Sequence, residues 1–373
     1  MPRSLFCFPS FRGWRSLALG LLLTGTASYA QAQRRAAAST TSSASRPMLA
    51  PYQTEKFELS AGPCVPKGYP ARIMDGRFLN SSGGGFVLPY GHFLESSWQG
   101  SGIIWGVGDP MQAVPDSLEL RWFSYTDDKF YEGHFLLPQE KIYHLLKQGF
   151  WDRSARLHYT YSGFTVCVLP TGGVVVWLKG LRKVVVGRFQ AQQIQYDFKQ
   201  YNAVANRAAV IANTRAELPA AVQAEIKAGT LSTKKWDAYL KRYPWQLEFS
   251  RPLTLFDHSF SYWSAEEAGF PLTADGAGFA EEVLGPSPKP VPLSCMLYVA
   301  GAYGRKRLLK VNPFDEAETM GAFQTLAAKH PGQVITLHVE VDEELKKAAL
   351  SLRAGGQTLP LTKSVIEFFD LRQ

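Results

Sequence analysis

The sequence predicts an α+β protein: antiparallel sheets with packed helices, arranged as two similar ββαββ modules joined by a helical segment. Three observations carry that prediction. Leu118, Leu120 and Trp122 alternate with Glu119, Arg121 and Phe123, the period of a strand with one buried face, and the chain turns back after Asp127-Asp128. An alanine-rich stretch from Phe198 to Tyr243, with scattered Lys and Glu and few β-branched residues, has the composition of helices. The order strand–turn–strand–Pro–helix–strand–strand runs from Pro115 to Leu178 and again from Pro292 to Leu352.

Residues 1–32 read as a signal peptide. Arg3, Arg12 and Arg15 precede an apolar run from Leu17 to Ala27, which closes on Ser28-Tyr29-Ala30 and Ala30-Gln31-Ala32. Either triplet suits cleavage, at 30/31 or at 32/33. The run is too short to span a bilayer comfortably, and Cys7 precedes it where a lipid anchor would need a Cys after it. The expectation is export to the periplasm or medium, with no transmembrane span after cleavage and no support for a lipid anchor. Residues 33–51, dominated by Ala, Ser and Thr, read as a flexible linker.

The first module spans 52–197. Tyr69 to Leu79 and Phe86 to Leu88 read as strands around the Ser81-Ser82-Gly83-Gly84-Gly85 loop, and Lys129 to Leu137 pairs back on the 118–122 strand. Pro138 is placed to open a helix whose Ile142, Leu145 and Leu146 share one face and which Gly149 ends. His158–Leu169 and Val174–Leu178 follow as strands, joined through Pro170-Thr171-Gly172-Gly173. The second lacks alternation and is expected to be covered on both faces. Lys183 to Tyr196 continues the sheet. The connector, 198–244, reads as two or three helices, the last capped by Ser232 with Trp236, Tyr239 and Leu240 as a core stripe. In the second module, 245–373, Pro292–Tyr298 and Arg307–Val311 pair around Gly304-Arg305-Lys306. Asn312-Pro313 opens a helix holding Met320, Phe323, Leu326 and Ala327, and Val334–Val341 and Ala348–Leu352 close the unit.

Composition narrows the function classes. An apolar share of 46% with 19% charged residues belongs to a folded chain, not a disordered one. The formal charge of +8 comes from 40 basic and 32 acidic residues. Three of those arginines leave with residues 1–32, giving 37 against 32, or +5, and Arg34, Arg35 and Arg46 lie in the linker. What remains is short clusters such as Arg305-Lys306-Arg307, so nucleic acid is not an expected partner. After cleavage Cys64, Cys167 and Cys295 remain, with no CxxC pair. Cys167 and Cys295 read as small apolar residues in buried strands, and a disulfide involving Cys64 is left open, as is its partner.

No motif names a reaction. The seven histidines form no HExxH or HxH, no serine sits in G-x-S-x-G, and Gly106-Val107-Gly108 lacks the third glycine of a dinucleotide site. No catalytic residue, metal ligand or cofactor is assigned. The densest candidate is the string from Trp122 to Gly133, with Tyr125, Asp127, Asp128, Lys129, Tyr131 and Glu132 as binding residues: rigid aromatic area with charges to orient a partner. The competing account makes Trp122, Phe130 and Phe135 core and lets the acidic pair shape the turn.

This string, with Phe135 and Leu137-Pro138, resembles the hallmark of the bacterial family called domain of unknown function 2931. Pro66-Lys67-Gly68-Tyr69-Pro70, Thr171 to Leu178, Gly187 to Ala191 and Trp236 to Trp245 add to the resemblance, which thins beyond Trp245. It implies an exported bacterial protein and carries over no catalytic residues. The expectation is therefore an exported, non-enzymatic binding protein of the envelope, of immunity or inhibitor type, whose partner is an unidentified protein or envelope ligand. An envelope hydrolase using the scattered acids Asp127, Asp128 and Glu132 and a structural envelope component are the alternatives.

Overall fold

Four sheets organise the computed structural model, which describes residues 49–95, 97, 98, 100, 103, 109–301 and 304–371. The expected signal peptide, and the linker up to residue 48, lie outside the described residues. The protein is α+β, and its sheets are antiparallel apart from one parallel pairing in each half.

The first half contains β1 (Ser60–Cys64), β2 (Ala71–Leu79), β3 (Ser117–Ser124), β4 (Lys129–Leu136), α1 (Gln139–Gln148), β5 (Gly163–Val168), β6 (Gly173–Lys179), β7 (Lys183–Gln190) and β8 (Gln192–Ile194). One sheet has the order β7-β6-β5-β1, with β1 parallel to β5. The other has the order β8-β4-β3-β2, extended beyond β2 by Gly85–Val87. Leu118, Leu120, Trp122, Tyr131 and Phe135 meet Val166, Val174, Val176 and Leu178 in one buried cluster. The unbroken apolar run of β6 is buried from Gly173 to Leu178, as its lack of alternation predicts.

Helices α2 (Phe198–Tyr201), α3 (Arg207–Ala216), α4 (Ala220–Ala228) and α5 (Lys234–Leu240) connect to the second half. That half contains β9 (Arg242–Phe249), β10 (Thr254–Tyr262), α6 (Glu281–Leu284), β11 (Pro292–Ala300), β12 (Lys306–Val311), α7 (Glu316–Lys329), β13 (Ile335–Val341), β14 (Ala348–Ala354), β15 (Gln357–Leu361) and β16 (Ile366–Asp370). Here β9 runs parallel to β13 in the order β9-β13-β14-β15, extended beyond β9 by Ser287–Pro290, and β10-β11-β12-β16 forms the partner sheet, extended beyond β10 by Glu267–Ala268. Trp98, Trp177, Trp236 and Trp245 belong to one core that spans both halves, and the Trp177 indole donates to the Ser264 carbonyl at 2.9 Å.

Several local expectations shift. Pro138 precedes α1 as its cap residue, and Gly149 ends the helix at φ +54 with its N–H on the Leu145 carbonyl. Thr233, not Ser232, caps α5, and its hydroxyl donates to Asp237 at 2.5 Å. Asp315 caps α7 by accepting from the Glu318 N–H at 2.8 Å, so Asn312-Pro313 lies ahead of the helix rather than opening it. The expected 158–169 strand divides into Leu157–Tyr159 and β5. Likewise, 183–196 divides at Ala191 into strands of different sheets, its N–H held by the Gly172 carbonyl. Strands β9 and β10 lie where no strand was expected, and β9 begins inside the expected 198–244 connector.

Candidate functional site

The β3–β4 hairpin carries the candidate string, and its two faces meet different surroundings. Inward, Trp122 and Tyr131 are register partners whose rings stack at 5.4 Å in the main core of the first half. Outward, Phe123, Tyr125 and Phe130 lie beneath Phe198 of α2 and Ile211 of α3. Tyr125 and Tyr131 are therefore only 6% and 4% exposed. The Tyr125 and Tyr201 hydroxyls share a hydrogen bond of 2.7 Å.

Each acid of the tip has its own partner. Asp127 accepts from the Ser124 hydroxyl at 2.6 Å and from the Thr171 N–H at 3.1 Å. Burial pushes the Asp127 carboxyl above the usual carboxylate range, and those hydrogen bonds pull against it. Burial also raises the Tyr131 phenol, helped by the charge of Asp127 and a hydrogen bond to it. Asp128, at φ +53, accepts the Arg207 Nε at 2.8 Å, while Lys129 is exposed. Glu132 accepts from the Arg121 Nε at 2.8 Å. The three acids of a hydrolase reading thus face three separate partners.

The segments that carry the family resemblance touch one another. Gly172, at φ +83, must lack a Cβ, which would fall 2.8 Å from the Tyr131 ring. Gln190 donates to the Thr171 carbonyl at 2.7 Å and Arg188 to Asp237 at 2.8 Å, and the Tyr69 and Trp236 rings meet edge to face at 5.0 Å. Arg207 completes the tip from above, its guanidinium 5.6 to 5.8 Å from the rings of Phe123, Phe130 and Phe198. Arg207→Ala is expected to lower stability by about 1 kcal/mol, the scale of a partly exposed cation–π and ion-pair contact. An unchanged denaturation midpoint would show that this guanidinium does not hold the helix to the hairpin.

Beyond the helical cover, the same outer face opens into a cleft of about 530 Å³ lined by Asp75, Glu119, Arg121, Glu132, His134, Gln190 and Gln192. Strand register explains the grouping. Asp75, Arg121, Glu132 and Gln192 form one row across four strands, and Arg77, Glu119 and His134 form the next. Within them Arg77 lies 3.5 Å from Asp75 and His134 3.6 Å from Glu119. Of the sequence candidates, only Glu132 lines this cleft. Its neighbours on β3 were visible as outward positions of an alternating strand, but Asp75 needed the register.

A second cluster lies where the halves meet. Glu266, 5% exposed, accepts from Arg242 at 2.5 and 2.6 Å, from the Ser264 hydroxyl at 3.0 Å and from the Val185 N–H of β7 at 3.1 Å. His258, buried on β10, stacks on Phe279 at 4.2 Å, and neither ring nitrogen has a hydrogen-bond partner. The nearest carboxylate, Glu282, is 3.8 Å from Nε2, beyond hydrogen-bonding distance, so burial dominates and holds the imidazole pKa down at about 4. Among the described residues no group of three or more His, Cys, Asp or Glu is placed to hold a metal ion, and no helix is long and apolar enough to cross a membrane.

The family model described as "Protein of unknown function (DUF2931)" matches residues 39–233. The chain belongs to this family. Within the described residues, the DUF2931 match takes in β1 to β8, α1, the helices α2 and α3 that cover the hairpin, and α4, while β9 to β16 lie beyond it. No curated protein and no solved structure matches the chain.

Proposed function

We propose that this DUF2931 protein is exported and acts by binding, through the cleft on the outer face of β2, β3, β4 and β8. The two cross-strand rows are the observation that carries the reading. Their side chains stand on hydrogen-bonded strands and are positioned by their own ion pairs, so a partner meets a pre-organised surface. Three carboxylates, Asp75, Glu119 and Glu132, share that surface with glutamine amides at its rim. Such a face fits a protein loop that presents a basic side chain flanked by backbone amides. This is the kind of contact an envelope immunity or inhibitor protein makes with the protein it neutralises.

A photo-reactive residue at His134 should capture that partner in intact cells, while the same probe at the exposed Leu157, outside the cleft lining, should not. Asp75→Lys with Glu119→Lys should weaken capture at least ~10-fold. Fold stability should change little, since both side chains are half exposed. Equal capture by the reversed variant, or by the Leu157 probe, would overturn the reading. Export is part of the proposal: the protein should fractionate with the periplasm or medium and begin at Gln31 or Gln33, and a protein confined to the cytoplasm with Met1 in place would remove it.

The two halves are read here as copies of one unit. Supporting this, the numbered strands of each half run four, a long helix and four, with the first parallel to the fifth and the second, third, fourth and eighth in the other sheet, while α6 and the short strands Glu267–Ala268 and Ser287–Pro290 are added between β10 and β11. The reading fails if the backbones of 60–194 and 242–370, aligned strand for strand, do not superpose.

A further inference from the structure

Cys64 and Cys167 are register partners across the parallel β1–β5 pair. Neighbouring strands lie about 4.8 Å apart, inside the Cα separation a disulfide spans, and partners in a parallel pair project from the same face. Both side chains are fully buried thiols in contact with each other. Cys295 is placed differently, on β11 opposite Phe260 and Val311.

We infer that Cys64 and Cys167 are a disulfide site that locks β1 to β5. The inference draws its oxidant from the export reading, because a disulfide oxidoreductase or a small disulfide persists outside the reducing cytosol. The chemistry is thiol–disulfide exchange. One protein thiolate attacks the external disulfide and releases a thiol, and the second protein thiolate then displaces the other sulfur. Two electrons and two protons pass from the cysteines to the external disulfide, which leaves as two thiols. Burial pushes the Cys167 thiol well up, so the sealed pair is unreactive and exchange needs β1 out of its place. That strand is the one to open, because among the described residues it is the edge of its sheet and pairs with β5 alone. The bond would close a long loop and hold the first strand of the first half against the sheet.

The reduced chain lacking residues 1–32 is refolded in a mixture of oxidised and reduced glutathione, denatured, alkylated and weighed. The expected product is about 2 Da lighter than the reduced chain before alkylation, takes up a single alkyl group, at Cys295, where the reduced chain takes up three, and yields the tryptic peptide 57–67 joined to 157–179. Cys295→Ala should form the same link, and reduction should lower Tm by several degrees. Alkylation of both Cys64 and Cys167 after refolding overturns the inference, as does a link through Cys295. Since this refolding requires no transport, its failure leaves export standing, whereas a protein confined to the cytoplasm removes export and not the capacity of the two thiols to join.

Discussion

Glu266→Ala is expected to destabilise the protein by about 3 kcal/mol, the scale of breaking a buried, hydrogen-bonded ion pair. Its carboxylate is the acceptor for a guanidinium, a hydroxyl and a backbone N–H drawn from both halves of the chain. Truncation leaves the Val185 N–H and the Ser264 hydroxyl without that acceptor, and each such group carries a desolvation penalty of about 1–3 kcal/mol. Arg242 is less affected, because its side chain is 43% exposed and water can replace its partner. Glu266→Gln keeps an acceptor oxygen and should lie between wild type and alanine. Urea denaturation measures both. An alanine variant within about 0.5 kcal/mol of wild type, the size of an ordinary surface substitution, would mean this contact does not join the halves.

His258 makes stability fall with acid. In the unfolded chain its imidazole binds a proton near pH 6.5, whereas in the fold burial delays protonation to about pH 4. Between those values the unfolded state holds more protons, so stability drops as pH is lowered from about 6.5 to about 4 and is insensitive to this group above that window. The full effect approaches about 3 kcal/mol at one pKa unit per 1.4 kcal/mol. Asp257, Glu267 and Glu282 have carboxyls raised by burial and act with the opposite sign, because the fold takes up their protons more readily than the unfolded chain. The measurement is therefore a difference: urea midpoints from pH 7 to 4 for wild type minus those for His258→Phe. A difference that stays flat across that window would exclude His258 as the acid-sensitive group.

Local chemistry is what the sequence made legible. The hairpin, the stop at Gly149 and the buried run of β6 follow from alternation, a glycine with positive φ and an uninterrupted apolar stretch. Caps were less secure, because Ser232 and Thr233 are adjacent and equally able to begin a helix. The aromatic string was ambiguous for a tertiary reason. Phe123, Tyr125 and Phe130 point outward by strand period, and only the docking of α2 and α3 removes them from water. The cleft was hidden likewise, since Asp75 reaches Arg121 only through the β2–β3 register, which a bulge after Ile73 shifts. His258 and Glu266 belong to no spacing motif, and burial alone distinguishes them.

The parallel strand pairs dictate an order of assembly. Among the described residues strand β1 has no strand neighbour except β5, and β9 pairs in parallel with β13, each partner arriving about a hundred residues later in the chain. The local hairpin β3–β4 can form as soon as its turn is made, but closing β1 onto β5 waits for everything between them. A chain emerging from its N-terminal end therefore carries β1 as an unpaired edge through most of the first half, whereas β9 gains an antiparallel neighbour, Ser287–Pro290, before β13 arrives. That interval is when the protein is most exposed to strand pairing with a wrong partner. The closure of β1 onto β5, far apart in sequence, is the step that non-local pairing makes slow.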